Sequence, residues 1–451
     1  MHRLLGLLGL VGAVTVGAAQ VHASGFLLYE QNGRGVGSAN AGEGAIAADA
    51  STIFWNPAGM TLLEGTNVAG SGNLVQTHAH FENEGSIITP ALGGAPLRGP
   101  NSDSDEIGLL SSFYLSQQVT DRWRVGVGVG TPFGLRTQWD DGWVGRYHAL
   151  KSDLRTINVN PSLAVRLTDW LSIGAGADAM WARATLTNAI DLGAVCGIFG
   201  AQAGLTPAAC RALGFRPQRV DGAVKIRGHD WAFGYNAGIL VHPTPFTRFG
   251  LTYRSRIDQE LDGNAYFTIP RRARLLQATG ALVNTPGSAD LNLPDWTDLS
   301  AFHQITEHWA VLADIMWIHW DRFDTLVIRF ANPRQPTTTI PENWDNTFRY
   351  ALAFQYTPTP SWIFRVGTAL DETPVPSPTF RTPRIPDSDR IWGSIGVGYV
   401  RDRLRLDFGY THVFAIEGGA RNADPNTGAL LRGHFDGSAD VFGIQASLGL
   451  F

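Results

Sequence analysis

Leu404-Arg405-Leu406-Asp407-Phe408-Gly409-Tyr410-Thr411 alternates apolar residues with polar or small ones at every step. Side chains along a strand point to opposite faces in turn, so this octet presents one greasy and one wet face. The same period returns along the chain from about residue 65 onward. Phe348, Tyr350, Leu352, Phe354 and Tyr356 share one face, and Arg349, Ala351, Ala353 and Gln355 share the other. Ile157, Val159, Leu163, Val165 and Leu167 likewise oppose Thr156, Asn158, Asn160, Ser162 and Arg166. A sheet this long, apolar on one face and charged on the other, describes a barrel whose outside meets lipid and whose inside meets water. Arg and Asp on the wet face then line the lumen, because charge in hydrocarbon is costly.

Working outward from that octet, the alternation predicts about fourteen strands. They fall near 65–82, 106–118, 122–132, 152–168, 170–188, 221–242, 246–267, 295–306, 308–331, 343–357, 361–373, 387–400, 402–416 and 434–451. Links after even-numbered strands are short, as in Thr120-Asp121-Arg122 and His242-Pro243-Thr244-Pro245, whereas those after odd-numbered strands are long. Outer-membrane barrels have short periplasmic turns and long extracellular loops, so an even count leaves both termini on the periplasmic side. The last residue, Phe451, is aromatic but lies out of phase with Phe442, Ile444, Ala446, Leu448 and Leu450. That mismatch predicts a bulge near the end.

Composition agrees with this class. The 451 residues include 52 Gly, 23 Phe, 14 Trp and 10 Tyr, with 17% charged residues and a net charge of -5. Nearly all cations are Arg, the exceptions being Lys151 and Lys225, and no basic run suits nucleic acid. Met1-His2-Arg3, the apolar Leu4–Ala18 stretch and Val21-His22-Ala23 form the three parts of a signal peptide spanning residues 1–23. The apolar part is shorter than the roughly 20 residues a membrane anchor needs. Export permits a disulfide between Cys196 and Cys210, which share one loop.

Residues 24–64 do not alternate. Asn56 can cap and Pro57 suits the first helical position, which predicts short helices ahead of the barrel. Ile46, Ile53, Phe54, Trp55, Met60, Leu62 and Leu63 are too apolar to stay solvated, so this segment is expected to tuck into the lumen as a hatch. The barrel is then 65–451. No Ser-His-Asp spacing, metal-ligand pair or dinucleotide fingerprint stands out, so neither catalysis, cofactor nor metal is expected.

The order of several short motifs resembles the FadL/TodX family of outer-membrane transporters for long-chain fatty acids and other hydrophobic compounds. They are Ser24-Gly25-Phe26, Gly42-Glu43-Gly44-Ala45-Ile46-Ala47, Asn56-Pro57-Ala58, Pro132-Phe133-Gly134-Leu135, Gly145-Arg146-Tyr147, Pro341-Glu342-Asn343-Trp344 and Arg384-Ile385-Pro386-Asp387-Ser388-Asp389-Arg390. The resemblance covers the mature chain. It implies an all-β, antiparallel 14-stranded transmembrane barrel of the bacterial outer membrane with an N-terminal helical hatch marked by Phe26, Asn56, Pro57 and Ala58. It also implies capture of an apolar ligand by extracellular loops and lateral release through a kink in the third strand.

The kink is expected at Gly126, Gly128, Gly130, Thr131, Pro132, Phe133 and Gly134, where Gly weakens a strand and Pro removes a ladder donor. The glycines could equally make room for the hatch. Apolar residues on two long loops, Ile198, Phe199, Leu205, Leu213 and Phe215 with Leu275, Leu276, Leu282 and Val283, suggest a capture groove or loops closing on each other. Positions that can be basic in fatty-acid carriers of this family are Thr187-Asn188 and Asp345-Asn346 here, a departure that weakens the case for a fatty acid over an uncharged hydrocarbon. Arg349, Arg365 and Arg405 fall on inward phases, where such residues more often pair with inward Asp such as Asp407 than substitute for the missing charge. The expected partners are a hydrophobic small molecule and the surrounding outer-membrane lipid and lipopolysaccharide, around a monomer that binds no nucleic acid. Fatty-acid uptake leads, aromatic or alkane hydrocarbon uptake follows, and an adhesive or structural barrel is the reading from another class.

Overall fold

The computed structural model describes residues 25–450, so the expected signal peptide, Ser24 and Phe451 lie outside it. Fourteen antiparallel spans close into one barrel. They are β1 (Thr66–Asn83), β2 (Ser102–Gln118), β3 (Trp123–Gly130 continued by Gly134–Gln138), β4 (Lys151–Arg166), β5 (Leu171–Asp191), β6 (Asp221–Thr244) and β7 (Thr247–Arg254 and Ile257–Thr268). There follow β8 (Thr285–Leu293 and Trp296–Gln304), β9 (Trp309–Ile318 and Thr325–Phe330), β10 (Thr338–Pro341 and Thr347–Thr359), β11 (Trp362–Asp371), β12 (Arg390–Arg401), β13 (Leu404–Ala415 and Gly418–Ala423) and β14 (Leu430–Gly449). Closure comes from β1 pairing with β14, from Asn67↔Gly449 to Asn83↔Gly433. A closed sheet leaves no strand edge to lipid.

The alternation reads as expected along β13: Leu404, Leu406, Phe408 and Phe414 are exposed on the outer face, and Asp407, Thr411 and Val413 are buried inside. Among the described residues β14 shows no bulge as far as Gly449, and Phe451, whose phase prompted that expectation, lies outside them. The register of β14 against β1 and β13 runs unbroken through Leu448 because Phe442, Ile444 and Leu448 keep one outward phase. Several strands also extend beyond the expected bounds. β8 begins at Thr285 rather than 295, pairing Thr285 with Ala265 above the interruption at Pro294.

Residues 25–61 are buried throughout apart from Ala48. They form α1 (Gly33–Val36), α2 (Glu43–Ile46), α3 (Thr52–Trp55) and a 3-10 turn at Pro57–Leu62. Asn56 does cap that last turn, accepting from Ala58 N at 3.1 Å. Left-handed backbone at Gly42 (φ 73) and Ala47 (φ 45) brackets α2 and keeps it to one turn. The wall makes way for the hatch with small residues: a Cβ on Gly396 would stand 2.7 Å from the Gly37 Cα.

Candidate functional site: a loop-roofed cavity and an unladdered seam

The long connection after β5 folds as α4 (Leu192–Phe199) and α5 (Pro207–Ala212), joined by the Cys196–Cys210 disulfide. Asp191 caps α4 by accepting from the Gly193 and Ala194 amides, each at 3.0 Å. Phe215, Leu276 and Leu282 pack with Leu192, the two cysteines and Ala273, so the two long loops hold each other. Beneath them lies a cavity of about 460 Å³, walled by Val195, Phe199, Ile226, Phe267, Leu276, Leu282, Ile328, Phe330 and Ile340. That volume lies within the range of small-molecule sites. Of the nine apolar loop candidates, Phe199, Leu276 and Leu282 line this cavity. Phe215 is spent on loop packing, Leu205 and Val283 are half-buried, and Ile198, Leu213 and Leu275 face outward.

A buried cation of the cavity comes from the Arg384–Arg390 segment, which the sequence marked only as a family motif. Arg384, just before β12, is 7% exposed and lines the cavity. Its Nη2 donates to Asn188 Oδ1 at 3.1 Å, while its Nη1 has no hydrogen-bond partner. Burial pushes the guanidinium down to about 10, with Glu342 and Asp424 pulling upward, so it stays cationic at neutral pH. Burial also raises the Glu342 carboxyl to about 8, against the pull of Arg384. The cavity's acids are otherwise engaged: Asp191 caps α4, and Asp424 accepts from the Thr427 amide at 2.7 Å. Burial lowers His148, whose Nε2 meets the Asn422 carbonyl at 3.1 Å. Arg365 and Arg405 pair with Asp407 at 2.9 and 2.7 Å and Arg349 donates to the Ala39 carbonyl at 2.6 Å, although Arg365 Nη1 and Arg349 Nε have no hydrogen-bond partner; none of the three lines the cavity. Among the described residues no cluster of His, Cys, Asp or Glu could hold a metal ion.

The wall has a second feature, at β3. The β2–β3 ladder runs from Gln118↔Arg124 only as far as Phe113↔Val129, and the Gly134–Gln138 segment pairs with β4 alone. Above that point side chains cross the seam instead. Arg136 meets Glu106 at 2.8 Å, and the Gln138 amide donates to Ser104 Oγ at 2.9 Å. Gly126 and Gly128 are laddered to both neighbours, whereas Gly130 keeps only Asn158 of β4, so pairing with β2 fails from Gly130 onward. The glycines clear space, since a Cβ on Gly128 would stand 2.9 Å from the Tyr114 ring and one on Gly130 2.8 Å from Gln31 Oε1.

The hatch supplies the partners that residues 131–134 lack in the sheet. Leu28 N donates to the Pro132 carbonyl and Gly134 N to the Phe26 carbonyl, both at 2.9 Å. Gln31 Nε2 donates to the Thr131 carbonyl at 2.8 Å, and Tyr114 OH to the Gln31 carbonyl at 3.0 Å. Thr156 Oγ1 serves Phe133, donating to its carbonyl at 2.6 Å. Phe26 itself sits among Trp320, Phe323 and Trp344, with ring centroids 4.8, 5.3 and 5.7 Å away. The space left between Gln31, Tyr114, Gly128, Gly130 and Pro132 is about 10 Å³.

Wall arginines hold the rest of the hatch. Helices of one turn leave most of their carbonyls unpaired. Arg254 donates to the Phe54 carbonyl at 3.0 Å, Arg248 to Ile46 at 2.6 Å and Arg124 to Leu63 at 2.9 Å. Inside the hatch Arg34 lies between Glu43 at 2.5 Å and Asp49 at 3.3 Å. Ala58 and Pro57 close the hatch against β5, where a Cβ on Gly174 would collide with both.

Similarity to known proteins follows the same architecture. The profile of the family described as outer membrane protein transport protein (OMPP1/FadL/TodX) matches residues 14–449. Outer membrane protein P1 of Haemophilus influenzae is 29% identical over 419 residues, covering 90% of this chain and 89% of that protein. The long-chain fatty acid transport protein of Shigella flexneri is 30% identical over 415 residues, covering 89% and 90%. The crystal structure of a Pseudomonas aeruginosa FadL homologue matches with a TM-score of 0.84 at 24% identity, covering 95% of this chain and 100% of that one. The P. putida toluene transporter TodX matches at 0.68 and 16%, covering 93% and 98%. The barrel, its hatch-filled lumen and the whole-length match agree: this chain belongs to the OMPP1/FadL/TodX family of outer-membrane transport proteins, transporters of hydrophobic compounds, and resides in the bacterial outer membrane.

Proposed function

We propose that the chain mediates energy-independent uptake of long-chain fatty acids. The observation that carries this reading is Arg384, a buried cation with a free donor in a cavity under the extracellular loops whose lining joins apolar walls to His148, Asp191, Arg334 and Asp424. An acyl chain suits the walls, and a carboxylate suits the guanidinium, whose charge-assisted bonds are the stronger class. From the cavity the ligand passes to the hatch and leaves sideways through the seam between β2 and β3. A lateral exit suits an apolar cargo, which gains nothing by entering the aqueous periplasm and about 0.8 kcal/mol per CH₂ on returning to hydrocarbon. The Shigella flexneri relative, by its name a long-chain fatty acid transport protein, supports the same substrate.

The test is uptake of a labelled long-chain fatty acid and of toluene, side by side, in cells lacking their own transporter. Fatty-acid uptake that Arg384→Leu abolishes is the expected outcome. Uptake of toluene alone would assign the chain to neutral hydrocarbons, and uptake of neither would leave a structural or adhesive barrel.

A further inference from the structure

Just above the apolar belt, the outward faces of β4, β5 and β6 carry cations in consecutive cross-strand rows. The lowest row is Ile157, Trp181 and Trp231, and above it come Arg155, Arg183 and His229. Next are Asp153, Thr185 and Arg227, then Lys151, Thr187 and Lys225. Both lysines of the chain thus share one patch with three arginines. Trp231, Phe233 and Tyr235 below them are 56%, 75% and 56% exposed, an aromatic girdle of the sort that marks a membrane interface. The strands climb from there to the disulfide-bonded loop, so the patch lies on the extracellular side, at head-group height.

Like charges directly opposite each other destabilise a sheet, yet Arg155 and Arg183 are Cα partners. Arg155 is relieved by Asp153, at 2.8 and 3.1 Å, and Lys151 lies 3.7 Å from the same carboxylate. Among the described residues Arg183, Lys225 and Arg227 have no carboxylate within 4.0 Å. Asp262 of β7 opposes only His229. The patch is local: on β1 and β2 the outward polar pairs are His78–Asp105 and His80–Asp103, each balanced by its own carboxylate. What fits uncompensated guanidinium forks above exposed aromatics is an anion that carries acyl chains. Guanidinium binds phosphate oxygens in pairs, and a basic cluster at head-group level attracts anionic lipid.

We propose that the outward face of β4–β6 binds the phosphorylated head group of lipopolysaccharide, with Arg183, Lys225 and Arg227 on its phosphates and its acyl chains along Trp181, Trp231 and Phe233. All of these residues point away from the lumen, so the site is distinct from the loop-roofed cavity.

The test is binding of purified lipopolysaccharide to the full-length protein in detergent micelles. Arg183→Gln/Lys225→Gln/Arg227→Gln should weaken binding by at least about tenfold, with Arg183→Gln alone as the milder variant. Removing the lipid's phosphates should weaken wild-type binding equally, and Arg183→Lys/Arg227→Lys, which keeps the charge but loses the paired bonds, should bind between wild type and the glutamine variant. Arg271→Gln/Arg272→Gln/Arg274→Gln, the same charge change on a loop, should bind as wild type. Unchanged affinity in the first two variants overturns the proposal. So does equal binding of dephosphorylated lipid, or binding of phosphatidylglycerol vesicles or inorganic phosphate as tight as that of lipopolysaccharide.

Discussion

Gln31 Nε2 donates at 2.8 Å to the carbonyl of Thr131, so a hatch side chain satisfies a wall carbonyl at the point where β3 leaves its ladder. The same amide also donates to the Leu28 carbonyl at 3.0 Å. One side chain therefore ties the hatch's first segment both to itself and to the seam.

Gln31→Leu keeps the volume and deletes both bonds, leaving two buried carbonyls unpaired at a cost of about 1–3 kcal/mol each. Amide exchange at Leu28 and Gly134, which bond across the same junction, should quicken by about 5- to 150-fold while strand amides elsewhere stay protected. Unchanged exchange at those two amides would show that the backbone contacts hold the seam without Gln31.

Arg384→Gln removes the charge in the cavity and keeps the reach toward Asn188. A hydrogen bond to a charged group contributes about 1.5–3 kcal/mol, so fatty-acid affinity should fall by roughly 10- to 150-fold. Affinity for a fatty alcohol of the same length should move little. Equal losses for acid and alcohol would mean that the variant damages the cavity instead of its head-group contact.

Glu342 makes that affinity depend on pH. Its folded value of about 8 stands above the ordinary 4.5 because burial favours the neutral acid. A raised folded value means the stabilisation is fully present below about pH 4.5 and is lost as pH rises through about 8. Above that point its carboxylate competes for the field of Arg384. Fatty-acid affinity should therefore fall between about pH 7 and pH 9 in the wild type, relative to Glu342→Gln, which should lack this step. Parallel pH profiles of the two proteins would remove Glu342 from the account.

Glu43→Ala should loosen the hatch without opening the barrel. Arg34 would keep only Asp49, at 3.3 Å, and stay buried with one partner gone. Breaking a buried pair costs about 3–5 kcal/mol, so exchange across residues 33–46 should accelerate by about a hundredfold or more. The slow gel mobility shift on heating, a property of the closed barrel, should survive. Protection unchanged in 33–46 would mean that Asp49 alone suffices.

The sequence by itself determined the barrel. A side-chain period of two leaves no choice of face once one side is lipid, so Leu406 and Phe408 had to point out and Asp407 in, and alternating loop lengths then set which end is outside. It also placed the hatch, because Ile53, Phe54 and Trp55 follow no strand period and are too apolar for water. What only the tertiary structure decided are contacts between distant positions. Arg384 and Asn188 are 196 residues apart, and nothing local to either says that one supplies the charge the other lacks. The break in β3 was legible as Gly and Pro, but its start at Gly130 goes with hatch groups near Phe26 and Gln31 that take over the orphaned backbone. The fate of Arg349 was set the same way, with a hatch carbonyl at Ala39 accepting from its guanidinium. Local pattern dictates which face a residue occupies. Who it meets there depends on how the chain folds back, and hydrogen-bond donors buried in the lumen take whichever acceptor the hatch brings within reach.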